Sequence, residues 1–104
     1  MSDTYTCSVW TVPEGRDDEF VSAFQRFAAA ADEIGAREGF ILQDEDDPAR
    51  FIVVRRWESA EAVQRWQQDD RRRHAAGEAL VQVVPEAQQA YLTRKVADLG
   101  DART

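Results

Sequence analysis

The chain has one cysteine, one histidine, one methionine and three prolines in 104 residues, and its acidic residues outnumber the basic ones 20 to 13. A lone Cys7 closes no internal disulfide, which agrees with a reducing cytoplasm. One histidine and scattered acids, densest at Asp44, Glu45, Asp46 and Asp47, give no ordered metal-ligand spacing, so no metal is expected. The five glycines form no phosphate-cradling motif. A formal charge of −7 repels nucleic-acid phosphates and anionic membrane surfaces, so neither is an expected partner. No apolar run approaches the roughly 18 residues that span a bilayer. The opening MSDTYTCSVW has neither a basic n-region nor an apolar h-region, and a cytoplasmic location is expected.

What is present reads as one soluble globular domain over residues 1–104, with 43% hydrophobic against 32% charged residues. Its core spans about 5–96, and the tail 98–104 is expected to fray. Tyr5 to Val12 has high β preference and stops at Pro13. Asp17, Asp18 and Glu19 then put negative charge at a helix N-terminus. Phe20, Phe24, Phe27, Ala31 and Ile34 follow at steps of four and three, on one helical face, with an end near Gly35 to Gly39. Phe40–Asp44 and Phe51–Trp57 flank the polar turn Asp46-Asp47-Pro48-Ala49 and predict an antiparallel hairpin.

Helical periodicity returns at Ser59, which has the side chain of an N-cap. One continuous helix to Val84 would align Val63, Trp66, Asp70, His74, Gly77, Val81 and Val84. Asp70 and His74 are polar in that apolar stripe. Either the helix breaks around Asp69-Asp70, or the polar pair faces something other than core. Pro85 ends the helical stretch, and Tyr91 to Val96 reads as the last strand.

Strand, helix, strand, strand, helix, strand is the ferredoxin-like β-α-β-β-α-β order, an α+β fold with helices on one face of an antiparallel sheet. Branched and aromatic residues on both faces of the first and third strands leave the second face needing cover. A homodimer packed sheet to sheet supplies it.

The turn VPEGRDDEF, the hairpin DEDDPARFIVVRRW and the helix opening WESAEAVQRW resemble the antibiotic biosynthesis monooxygenase family of dimeric α+β barrels, over about Tyr5 to Val96. The resemblance implies a cofactor-independent monooxygenase acting with dioxygen on a small aromatic phenol, quinol or polyketide. Its alternatives are a non-catalytic dimeric barrel that binds a hydrophobic ligand or assists biosynthesis, and a haem-binding, haem-degrading oxygenase. Trp57 at the strand-to-helix junction and Trp66 on the helix match the family. The haem-degrading branch implies an asparagine on strand one, where this chain has Ser8, with Trp66 and His74 matching its tryptophan and histidine. The polyketide branch implies an asparagine on strand three, where this chain has Val53 or its apolar neighbours, and a tyrosine early in the helix, where it has Val63.

The expected catalytic residues are His74, Trp66 and Asp70. His74 has the one side chain with an ordinary pKa near neutrality, about 6.5, and suits a general base for a phenolic proton. Asp70 would orient the ring and raise its basicity. Against this stands a solvated histidine beside the basic run Arg71-Arg72-Arg73. Trp66 and Trp57 are expected to stack a flat substrate, or else simply to pack the core. Ser8, Tyr91 and Arg55 are expected substrate contacts, offering a hydroxyl or guanidinium to a carbonyl or oxyanion, with Arg56 and Arg94 behind them. Their alternative is the polar face of a strand or a dimer contact.

Overall fold

Thr4–Thr11 forms β1, whose β-branched and aromatic residues give it the centre of the sheet. The computed structural model describes residues 4–80, 83–84 and 87–100, with every side chain among them except those of residues 78 and 79. The expectations placed on Val81, Pro85 and the chain beyond Gly100 lie outside the described residues. β1 pairs antiparallel with β3 (Arg50–Trp57) on one side and β4 (Gln89–Arg94) on the other. β2 (Ala36–Gln43) pairs antiparallel with β3, giving the order β2-β3-β1-β4. This is the ferredoxin-like α+β arrangement that the element order predicts. The first strand runs one residue earlier than expected and the last two residues earlier, leaving Val96 exposed.

α1 (Asp17–Ala29) carries its three acids in the first turn, where they meet the positive end of the helix dipole. Phe20, Ala23, Phe24 and Phe27 are buried. Each phenyl ring so removed from water contributes about 1.5–3 kcal/mol. The helix ends at Ala29, earlier than the Gly35–Gly39 boundary its periodicity suggests. A 3-10 turn over Asp32–Ile34 carries the apolar stripe onward and buries Ala31 and Ile34. Arg55 braces that end. It donates Nη1 to the Ala28 carbonyl at 2.7 Å and Nε to the Arg37 carbonyl at 2.7 Å, and its Nη2 pairs with Asp32. The Ala28 carbonyl, which already accepts from the Ala31 amide at 3.0 Å, thereby gains a second, charged donor.

Gly35 then turns the chain into β2 at φ +121°, a backbone conformation that disfavours a Cβ. Its surroundings are equally restrictive, since a Cβ there would lie 2.8 Å from the Ala62 Cβ. Ala62 belongs to α2 (Ala60–Gln68), whose Ser59 N-cap accepts a hydrogen bond from the Ala62 amide at 3.1 Å. That cap is the one the sequence announces.

The long second helix does not continue. Asp69 adopts extended angles, φ −81° and ψ 136°, closing α2 and capping α3 (Asp70–Ala75). A π-helical turn, Ala76–Leu80, follows and leads to the buried Leu80, Val83 and Val84. The helices cover the sheet face bearing Thr4, Thr6, Ser8 and Trp10 of β1 with Phe51, Val53, Arg55 and Trp57 of β3. The other face is open. Register aligns Phe40, Val54, Cys7 and Tyr91 in one row across it, and Leu42, Ile52 and Val9 in the next.

Gly35→Ala combines backbone strain with a clash against Ala62, and is expected to destabilise the fold by about 2 kcal/mol or more. Urea unfolding followed by tryptophan fluorescence checks this, and an unchanged midpoint refutes it.

Candidate functional site

A row of rings runs beneath the helices. Phe51 meets Phe20 at 5.2 Å between centroids, Phe20 meets Phe24 at 5.7 Å, and Phe24 meets Phe27 at 5.4 Å. Phe27 meets Trp66 at 5.6 Å, while Trp10 lies edge-on to Phe24 at 5.4 Å. Tilted and edge-to-face pairs of this kind contribute about 0.5–1.5 kcal/mol beyond burial, and they hold each ring in one orientation.

Between this row and the sheet lies a hollow of about 640 Å³, within the range of small-molecule sites. Its walls include Phe24, Phe27, Trp57 and Trp66, and its floor on β1 includes Thr6 and Ser8. The two indoles that reach this floor make specific bonds. Trp57 donates Nε1–H to the Thr6 hydroxyl at 2.9 Å, and Trp10 donates Nε1–H to the Ser8 hydroxyl at 2.8 Å. Gln64, Gln67 and Arg72 stand at the rim. The Arg72 guanidinium lies 5.8 Å from the Phe27 ring centroid, a cation–π contact. Among the described residues it has no carboxylate partner, unlike Arg71, which is held by Asp69 and Glu33.

Of the expected site residues, Trp66, Trp57 and Ser8 are brought together around this hollow. Arg55 also borders it, but all three of its nitrogens are engaged at the end of α1 and in β2. Tyr91 borders it at the β4 edge. Its side chain alternates to the outer sheet face opposite Cys7, and its hydroxyl donates to Gln89 Oε1 at 3.0 Å.

His74 and Asp70 are placed elsewhere. Both are exposed on α3 and outside the lining, and Asp70 pairs with Arg73. The expectation that His74 shares a hollow with Trp66 is therefore corrected. A continuous helix would put residues 66, 70 and 74 in line, but the extended Asp69 resets the helical register. Arg71 holds the Asp69 carboxyl below the usual carboxylate range, first through its guanidinium and then through its backbone amide. Asp69 thus stays an ionised cap at neutral pH and loses that role only as acid protonates it.

Thr6, Phe24, Phe27 and Arg72 were not among the expected site residues. For Arg72 a signal existed. An Asp69 N-cap before Asp70-Arg71-Arg72 makes residue 72 the third of a new helix, one turn before Ala75 and Ala76. For Thr6 none did, because its partner lies 51 residues away.

No group of three or more His, Cys, Asp or Glu side chains is placed to hold a metal among the described residues. The lining there offers no imidazole, so the residues do not fit a haem ligated through His74. No described helix is long and apolar enough to cross a membrane.

Comparison with known proteins agrees with the geometry. Residues 8–78 match the antibiotic biosynthesis monooxygenase family, and the chain belongs to it. SnoaB, a cofactor-independent oxygenase from Streptomyces nogalater, shares the fold with TM-score 0.79 at 21% identity, over 95% of this chain and 98% of that one. A Bordetella bronchiseptica protein, provisionally named an antibiotic biosynthesis monooxygenase, superposes with TM-score 0.80 at 15% identity, covering 93% of this chain and all of its own. A conserved Methanosarcina mazei protein reaches TM-score 0.72 at 12% identity, over 92% and 95% of the two chains. No functionally curated protein matches the chain.

Replacing Trp66 by Leu is expected to weaken binding of 4-nitro-1-naphthol about tenfold, through lost stacking and area. His74→Ala should leave the dissociation constant within about twofold. Equilibrium titration of the probe's visible absorbance measures both, and equal losses for the two variants would contradict this placement.

Proposed function

We propose that the protein is a cofactor-independent monooxygenase-like enzyme that oxidises a small, flat phenol, quinol or polyketide with dioxygen. The observation carrying this reading is the hollow of about 640 Å³ walled by Phe24, Phe27, Trp57 and Trp66 and floored by two hydroxyls. Its dimensions and π-faces suit a flat aromatic guest. Membership of the family and the likeness to SnoaB, named a cofactor-independent oxygenase, support oxygen chemistry without a bound group.

The chemistry then belongs to the substrate anion. An anthrone-like methylene, once its enolate forms, gives electrons to dioxygen. One oxygen atom becomes the new carbonyl and the other leaves as water, so the substrate supplies every electron. The protein's part is to stack the rings, keep bulk water out and favour the ionised substrate. Arg72 contributes through its positive charge at the rim.

One observation favours a second reading, a barrel that binds a hydrophobic ligand without turning it over. Among the described lining residues there is no carboxylate and no imidazole to accept the proton. Anthrone oxidation decides between them. With EDTA and no flavin, the wild-type protein should raise oxygen uptake above the buffer rate, and Trp66→Leu should reduce kcat/KM about tenfold. Uptake equal to buffer, with the probe still bound, leaves the ligand-binding reading.

A homodimer and a cytoplasmic location belong to the same proposal, the second supported by the lone Cys7. The uncovered sheet face supports the first. Phe40 is 57% exposed and Tyr91 51%, in one row with Val54 and Cys7. A contiguous apolar surface of that kind is characteristic of a protein–protein contact. Sedimentation velocity should give a dimer at micromolar concentration, and Phe40→Glu should shift it toward monomer. A wild-type monomer refutes the dimer.

A further inference from the structure

Thr6 and Ser8 are successive inward residues of β1, both on the floor of the hollow, and each hydroxyl accepts an indole N–H. An indole nitrogen donates and never accepts. The bond from Trp57 therefore occupies a lone pair of Thr6 and leaves the threonine proton to seek another acceptor. Trp10 does the same to Ser8. Among the described residues neither hydroxyl proton meets a protein acceptor. The indoles are themselves locked, Trp57 at 3% exposure and Trp10 at 7%, the latter packed on Phe20 and Phe24. Two donors, about two strand residues or ~7 Å apart at their Cα atoms, are thus preset beneath the aromatic wall.

We propose that Thr6 and Ser8 form an oxyanion seat, binding the keto or phenol oxygens of a flat aromatic substrate and favouring its ionised form. The inference rests on the reading of the hollow as an aromatic-binding site. It refines the substrate class to polycyclic phenols and ketones that carry oxygen along the edge lying on β1. A hydrogen bond to a charged oxygen is roughly twice as strong as one to its neutral form, so two fixed donors lower the pKa of the bound guest. No protein base is required. The proton passes to solvent at the rim, past Gln64 and Gln67.

The probe is 4-nitro-1-naphthol, whose ionised form absorbs in the visible. Bound to the wild-type protein, its pKa should fall by about one unit, a tenfold shift in ionisation. In 0.5 M NaCl, which screens Arg72, Thr6→Val with Ser8→Ala should return it to the value in water. Thr6→Ser, which keeps the hydroxyl for Trp57, should retain the shift and so separates donation from packing. The non-ionising 1-nitronaphthalene should bind the double variant as it binds the wild type, showing an intact hollow. Arg72→Gln should also reduce the shift, but that portion alone should fade in 0.5 M NaCl, because it acts through an exposed charge. A wild-type shift that survives in the double variant, or no shift in the wild type, overturns the seat while the aromatic site stands. Failure of the probe to bind at all overturns both.

Discussion

Everything in this structure depends on three phenylalanines, Phe20, Phe24 and Phe27, laid by α1 against one face of the sheet. They join the strand aromatics Trp10 and Phe51 to the helical Trp66 in one chain of ring contacts. The spacing of α1 sets the spacing of the rings. The rings in turn set how far the second helix stands from β1. Had α1 carried leucines, the same elements would pack, but flexible branched side chains would not hold open a wall of fixed orientation. Core and candidate site therefore share rings, with Phe24, Phe27, Trp57 and Trp66 belonging to both.

Polarity inside the hollow is supplied sparingly. The chain has no asparagine, and the positions where its family resemblance implies one carry Ser8 and Val53. In place of a side-chain amide stand two hydroxyls whose direction is imposed by tryptophans. Trp57 and Trp10 thus act twice, as apolar bulk and as donors. Buried indole N–H groups need partners, and meeting that need occupies a lone pair of each hydroxyl and leaves its proton to be donated.

Much of this was legible in the residues. The steps of four and three from Phe20 to Ile34 are a face, and all five positions are buried although the helix itself ends sooner. Ser59 is a cap in sequence and in structure. Alternation and turn chemistry placed three strands to within two residues, while β2 begins at Ala36, four residues before the expected Phe40. What escaped were the features decided by one backbone choice or by distant pairing. Asp69 can extend or remain helical, and periodicity does not say which. That single residue sends His74 outward and Arg72 toward Phe27. The partnership of Thr6 with Trp57 depends on strand register across half the chain, which no local pattern encodes.

β2 is an outer strand, and its pairing with β3 slips between Ala36 and Gly39. At Gly39 the backbones approach so closely that a Cβ would lie 2.4 Å from the Val54 carbonyl oxygen. Irregular margins of this sort present main-chain groups out of step with any incoming strand. Growth of the sheet sideways, the route by which strands propagate into fibres, is frustrated along the first half of that margin. The open face of the sheet, by contrast, presents side chains, which discriminate between surfaces as bare amides do not.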